Sequence, residues 1–234
     1  MNTATEKTLR DLALETPAAA RVFEKLHLDY CCGGNQTLQQ ACERVNLPTG
    51  EVLASLEEAP REGTPRDWLI EPLAALIAHI RETHHAFTRS EMARLGPLFD
   101  KVCAAHGERH PELAEMRDIF RGLAAELTSH LMKEEMVLFP YIERMEAAGG
   151  PAAPPPFGTV RNPIVMMVHE HDGAGEALRS LRQMSRDYTP PADACTSFRT
   201  LYAALAGFEG DLHQHIHLEN NILFPRAIVM EGGK

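Results

Sequence analysis

The chain has no apolar run approaching the roughly 18 residues that a membrane-crossing helix needs. Its first stretch, MNTATEKTLRDLALETPAAA, contains no uninterrupted apolar core of the signal-peptide kind, so a cytoplasmic protein is the expectation. There is no Lys/Arg-rich run either. With 33 acidic against 23 basic residues the formal net charge is -10, which makes nucleic acid and anionic membrane poor partners. Aromatics amount to only 6% and β-branched runs are short, a composition that leans toward helix. The five cysteines, Cys31, Cys32, Cys42, Cys103 and Cys195, are odd in number and scattered, which excludes a disulfide framework. In a reducing compartment they are thiols.

What is present is an ordinary soluble composition, 44% apolar and 24% charged. The 234 residues suffice for one domain of common size and a smaller one. Twelve histidines are many for such a chain. Residues 1–58 read as a small helical unit. Thr16 and Pro17 open one helix as N-cap and first helical residue, TLQQACERVNL supplies a second and PTGEVLASLEEA a third. APREGTPRD, residues 59–67, has linker composition. Residues 68–234 alternate between helical periodicity and turns. Long helices are expected from Trp68 to Ala105, Pro111 to Ala148, Ile164 to Tyr188 and Ala194 to Met230. In the first, an apolar and histidine stripe through Leu73, Leu76, Ile77, Ile80, His84, Phe87, Leu95, Leu98 and Val102 continues past Gly96-Pro97, which should kink the helix rather than reverse it. The fold class is all-α: a small N-terminal helical domain followed by a four-helix bundle.

Two segments of that bundle repeat each other. HLMKEEMVLFP, residues 130–140, and HIHLENNILFP, residues 215–225, both read His, three residues, Glu, three residues, Leu-Phe-Pro. Residues four apart share a helix face, so an imidazole and a carboxylate can reach one metal ion. A single such pair is a weak signal, because solvated helix faces carry it often; two in matching context are specific. His84 stands 46 residues before His130 and His171 stands 44 before His215, so the bundle reads as a duplicated helical hairpin. Folded back on themselves at about 1.5 Å per residue, the hairpins bring these groups to one level. Four imidazoles and two carboxylates exceed the needs of one tetrahedral zinc. The set His84, His130, Glu134, His171, His215 and Glu219 suits two iron ions. Each would take two histidines, with Glu134 and Glu219 as bridges and open positions for a small ligand. His85, His169, His213 and His217 neighbour the chosen residues and are read as supporting or solvated groups, as are Asp172 and Asp211. His106 lies about 33 Å from His84 along a continuous helix, which places it and His110 at a turn, outside the metal shell.

LDYCCGGNQTL carries a separate signal. Gly33 and Gly34 free the backbone at a turn before a helix. Thiols near a helix N-terminus gain thiolate character, so Cys31 and Cys32 could bind metal, transfer electrons or react with nitric oxide. The plain alternative is two small residues buried in a mini-core.

DYCCGGNQTLQQAC, PIVMMVHEHDGAGEAL, HLMKEEMVLFP and HIHLENNILFPRA together resemble the repair-of-iron-centres family, the ScdA/YtfE-like di-iron proteins, over nearly the whole chain. The resemblance implies an N-terminal Cys-Cys-Gly-Gly (ScdA_N-like) domain and a hemerythrin-like bundle. It places the family's di-iron ligands on the six residues named above. It further implies a carboxylate-bridged iron pair compatible with an oxo bridge, NO or O2 as small ligand, and recovery of iron-sulfur clusters after nitrosative or oxidative damage. Damaged iron-sulfur proteins are then the iron acceptors, and Cys31 and Cys32 a thiol relay. Reduction of NO to nitrous oxide at the iron pair, and oxygen binding of the hemerythrin kind, are the alternatives. A four-helix bundle holds such a site within one chain, so a monomer suffices and a dimer is compatible.

Overall fold

The computed structural model describes residues 3–59, 67–150, 153 and 155–232. Most of the expected linker, residues 60–66, lies outside them. The N-terminal unit comprises α1 (Thr3–Glu6), α2 (Leu9–Glu15), α3 (Pro17–Lys25), α4 (Leu38–Arg44) and α5 (Thr49–Glu58). Local chemistry sets its starts. The Thr8 hydroxyl accepts from Asp11 N, and Thr37 with Gln40 forms a reciprocal capping box at α4. Thr16 does hold the N-cap of α3 and Pro17 its first turn, but the Thr16 side chain makes no capping bond; its carbonyl accepts from Ala19 N instead. Leu9, Phe23, Tyr30, Leu38, Cys42 and Val52 form the core of this unit.

The bundle follows as α6 (Leu73–His79), α7 (Ala86–His106), α8 (Glu112–Lys133), α9 (Phe139–Ala148), α10 (Arg161–Met184), α11 (Thr196–Leu218) and α12 (Phe224–Gly232). Pro97 lies inside α7 and does not reverse it. α10 ends four residues before the expected Tyr188, because Arg186, Asp187 and Tyr188 all adopt positive φ and carry the chain round to α11. α7 packs on α8 and α11, and α10 packs on the same two, giving an antiparallel four-helix bundle.

Three of the four long helices are interrupted by a π turn: Ile80–His85 between α6 and α7, Glu134–Leu138 between α8 and α9, and Glu219–Leu223 between α11 and α12. A π turn takes one residue more than an α turn and rotates everything beyond it. The first changes which residues face inward. Downstream of Ile80 the buried positions are His84, His85, Thr88, Leu95, Phe99, Val102 and His106, while Phe87 of the expected stripe is exposed and Leu98 packs half-buried against the core. In the other two, Phe139 N–H donates to Glu134 O and Phe224 N–H to Glu219 O. The residue after each Phe is a proline, which has no N–H to contribute to a regular ladder. The Leu-Phe-Pro ending accompanies the widened turn in both copies, whereas the Ile80–His85 turn forms without a proline and Pro97 sits inside regular α7.

The bundle interior has two apolar layers. Phe99, Phe120, Phe198 and Phe208 belong to one; Leu73, Ile80, Phe139, Ile142 and Phe224 belong to the other. Among the described residues no helix is long and apolar enough to cross a membrane.

Candidate metal centre

Buried polar side chains collect at the three π turns. His85, His130, Glu134, His171, His215 and Glu219 are all buried. They form two groups of four, His85/Glu134/His215/Glu219 and His130/Glu134/His171/Glu219, with the donor atoms in each within 4.8 Å of one another. Both groups contain both carboxylates. Each also draws one histidine from each hairpin, so the duplicated halves interlock at the site rather than building one group apiece. His85 Nε2 faces His215 Nε2 at 3.1 Å, and His130 Nε2 faces His171 Nε2 at 3.1 Å.

In three of the four rings the outward nitrogen is engaged by a hydrogen bond. His85 Nδ1 donates to Glu135 Oε1 at 2.7 Å and His130 Nδ1 to Glu170 Oε2 at 2.8 Å. A carboxylate only accepts, so Nδ1 carries the proton in both. His171 Nδ1 meets Asn220 Oδ1 at 2.9 Å, while the Asn220 amide nitrogen donates to Cys31 O at 3.4 Å, which settles the amide orientation and this tautomer as well. Burial, followed by the His215 ring, pushes His85 down to about 4; burial and the His171 ring do the same to His130. These imidazoles are therefore neutral at pH 7. His130 Nε2 and His171 Nε2 face each other at hydrogen-bond distance while the Nδ1 of each is already engaged.

The carboxylates are in the same position. His85 and His130 Nε2 lie 3.4 Å from Glu134 Oε2, and His171 and His215 Nε2 lie 3.2 and 3.1 Å from Glu219 oxygens. None of these contacts has hydrogen-bond geometry that satisfies a carboxylate oxygen, and all four oxygens remain without a bonded partner. Burial, then the Glu219 charge, drives Glu134 well above the usual carboxylate range. Against the upward push of burial, the His215 and His171 imidazoles hold Glu219 well below it. Bare nitrogens and oxygens converging in a dry core are costly unless a cation joins them. The donor set thus fits metal binding.

Of the residues expected as ligands, five are in these groups and His84 is outside them. Its Nδ1 bonds Asp211 Oδ1 at 3.0 Å and its ring stacks on His215 at 5.9 Å. The adjacent His85 occupies the inward position, because the π turn at Ile80–His85 advances the helix face by one residue. The spacing carried a signal for this: His85 precedes His130 by 45 residues, nearer to the 44 between His171 and His215. Glu135, Glu170 and Asn220, which orient ligand rings, were not singled out either, although Glu135 and Asn220 hold the same place in the two repeats. His106 and His110 lie at the loop end, where His106 packs on Phe198 and His110 bonds Asp193 at 3.0 Å. His169 and Asp172 are exposed.

The Cys31–Cys32 loop is packed against the bundle beside this centre. Cys32 Sγ lies 3.7 Å from His171 O, and the two thiols are 3.9 Å apart and free. Asp29 Oδ1 accepts from Cys32 N at 2.9 Å and Gly33 N at 3.0 Å. A side chain at Gly34 would come within 2.5 Å of Tyr30 O; close approach, rather than positive φ, requires glycine there. The loop is not at a helix N-terminus, and Cys31 is not thiolate-prone. The Cys32 thiol and burial raise Cys31 well above the ordinary value.

A helical bundle whose helices pool histidines and carboxylates in the core defines a hemerythrin-like metal-binding protein. The family described as "Hemerythrin HHE cation binding domain" matches residues 75–227, and "Domain of Unknown function (DUF542)" matches residues 5–60. The chain is 37% identical to the "Iron-sulfur cluster repair protein YtfE" of Pectobacterium carotovorum over 224 residues, 95% of this chain and 97% of that protein. It is 37% identical to the protein of the same name from Escherichia coli O157:H7, with 97% and 98% covered. It is also 37% identical to the "Probable iron-sulfur cluster repair protein" of Haemophilus influenzae, with 95% and 97% covered. The chain belongs to the hemerythrin-like, YtfE-type family of iron-sulfur cluster repair proteins.

Proposed function

We propose that the chain holds two non-haem iron ions and supplies iron to damaged iron-sulfur clusters in the response to nitric oxide and oxidative stress. One ion would bind His85 and His215 and the other His130 and His171, with Glu134 and Glu219 shared. This set differs from the sequence expectation in taking His85 rather than His84. The observation that carries the reading is the sharing of both carboxylates by the two four-residue groups, which is the donor pattern of a bridged pair. Iron, at home with imidazole and carboxylate, would supply affinity for a small ligand such as NO or O2. The protein's own contribution is to fix the rings through Glu135, Glu170 and Asn220 and to keep the core dry. The names of the relatives support cluster repair as the setting.

Cys31 and Cys32 enter this reading as a thiol relay for iron or NO, supported by the packing of Cys32 on the His171 backbone. The test is iron content after anaerobic purification, then incubation with an NO-damaged iron-sulfur enzyme. Two irons per chain and recovery of the enzyme's cluster are expected. One iron or fewer at saturation sinks the paired site, and sustained nitrous oxide formation with an electron donor would instead mark an NO reductase. Full-rate recovery with Cys31→Ser/Cys32→Ser protein would remove the relay.

A further inference from the structure

The two metal positions are not equally supported. Around the pair formed by His130 and His171, both outward nitrogens are held, one by the Glu170 carboxylate and one by the Asn220 amide. Lys133 in turn pairs with Glu170. Around the pair formed by His85 and His215, only His85 is held, by Glu135. His215 Nδ1 is buried and has no protein partner. The repeat gives the reason. Glu170, the residue before His171, reaches across to His130. The residue before His85 is His84, and it does not reproduce that bond. Its ring lies flat against His215, 8° from parallel, and its Nδ1 turns to Asp211. A ligand ring with no outward acceptor is less basic and less rigidly aimed, and loss of such support commonly lowers metal affinity about 10–100-fold.

The same side of the centre is also the open one. A cavity of about 620 Å³ lies between the N-terminal unit and the bundle, and its lining includes His79, His84, Gln214 and His217 along with Glu15 and Asp67. His84, stacked on His215, is the wall between this cavity and the metal position. None of the four ligand rings lines it; the cavity reaches the centre only through His84, whose ring stacks on His215, and among the described residues no lining residue contacts His130 or His171 in this way.

Resting on the paired-iron reading above, we propose that the position framed by His85 and His215 is the exchangeable one. The ion held there is the cargo, it departs through the cavity behind His84, and the ion at His130 and His171 stays. The support comes from two unrelated observations, an unheld ligand ring and an open cavity, on one side of the site.

Chelator challenge of the two-iron protein tests this, with released iron followed by absorbance and retained iron by Mössbauer spectroscopy after loading with the 57Fe isotope. Two phases of one iron each are expected, and the iron that remains should give a single quadrupole doublet. Glu135→Ala should speed the fast phase about ten-fold and leave the slow one; Glu170→Ala should speed only the slow phase. Gln214→Trp, at the exposed edge of the cavity, should slow the fast phase several-fold. The reverse assignment of Glu135 and Glu170, or a Gln214→Trp rate equal to wild type, overturns the proposal. A chain that binds two irons and releases them in one phase overturns it while leaving the paired site standing. A chain that never binds two overturns both.

Discussion

In the first half of the bundle, the π turn begun by Glu134 leaves Met136 and Val137 73% and 44% exposed; in the second, the turn begun by Glu219 has Asn221 and Ile222 at 6% and 4%. The backbone event is the same and the surroundings are not. The second turn is covered by the N-terminal unit. Arg10 donates to Asn221 O at 2.9 Å, Asn221 Nδ2 donates to Tyr30 O at 3.1 Å and to His217 Nδ1 at 2.8 Å, and the His217 ring packs on Tyr30 at 5.2 Å. Glu24 pairs with His213 at 2.8 Å on the same face. A duplicated hairpin has kept its inward chemistry and divided its outward roles. One copy faces outward with methionine and valine. The other spends asparagine and histidine, residues that would otherwise be read as metal-site candidates, on holding a second domain.

The comparison can be broken most severely at the shared carboxylates. If the halves interlock as described, Glu134→Ala and Glu219→Ala should each empty both positions, with metal content falling from two per chain to below one. Loss of only one ion from either variant would mean that each half builds its own site. Next in size is the choice between neighbours in the first hairpin. His85→Ala should lose one ion, whereas His84→Ala should still bind two, as counted by elemental analysis against protein concentration. Smaller again is the difference between the two π turns themselves. Asn221→Ala strands the buried Tyr30 carbonyl and the His217 nitrogen and should cost about 1–3 kcal/mol in denaturant unfolding. Met136→Ala, at the matching exposed turn, should stay within about 0.5 kcal/mol of wild type.

The mildest probe is pH at the covered side. Against the upward push of burial, the Gly33 and Cys32 amides and the Cys31 thiol hold the Asp29 carboxyl below its usual value of 3.8. A depressed carboxyl lends stability that is complete above the unfolded value and fades as pH falls through the folded one. Cys31 should therefore stay shielded from a thiol reagent active in acid down to about pH 4 and become accessible only below it. Asp29→Asn should remove that dependence, and a Cys31 already reactive at pH 6 would contradict the tie between Asp29 and the loop.

Much of this architecture was legible because it rests on periodicity and repetition. The matched His-Glu-Leu-Phe-Pro segments contain four of the six inward groups and the hairpin spacing a fifth, His171, and the turn signals located four long helices. What stayed hidden has one dominant cause. Helical counting assumes 3.6 residues per turn, and a single π turn between Ile80 and His85 defeats it, moving His84 off the centre and Phe87 off the core. The other unread features are contacts between segments distant in sequence. Glu170 reaching His130 and Asn220 joining His171 to the Cys31 carbonyl depend on how helices meet, and no local spacing encodes that.

Pro140 and Pro225 have a consequence for how the centre is filled. Because neither ring can supply an amide hydrogen, the ladder bond that a regular helix would draw from position 140 or 225 is missing whether or not an ion is present. With the Phe139 and Phe224 amides bonded to Glu134 O and Glu219 O, the turns that carry both carboxylates are formed by the chain's own bonds, a preorganised pair of receivers.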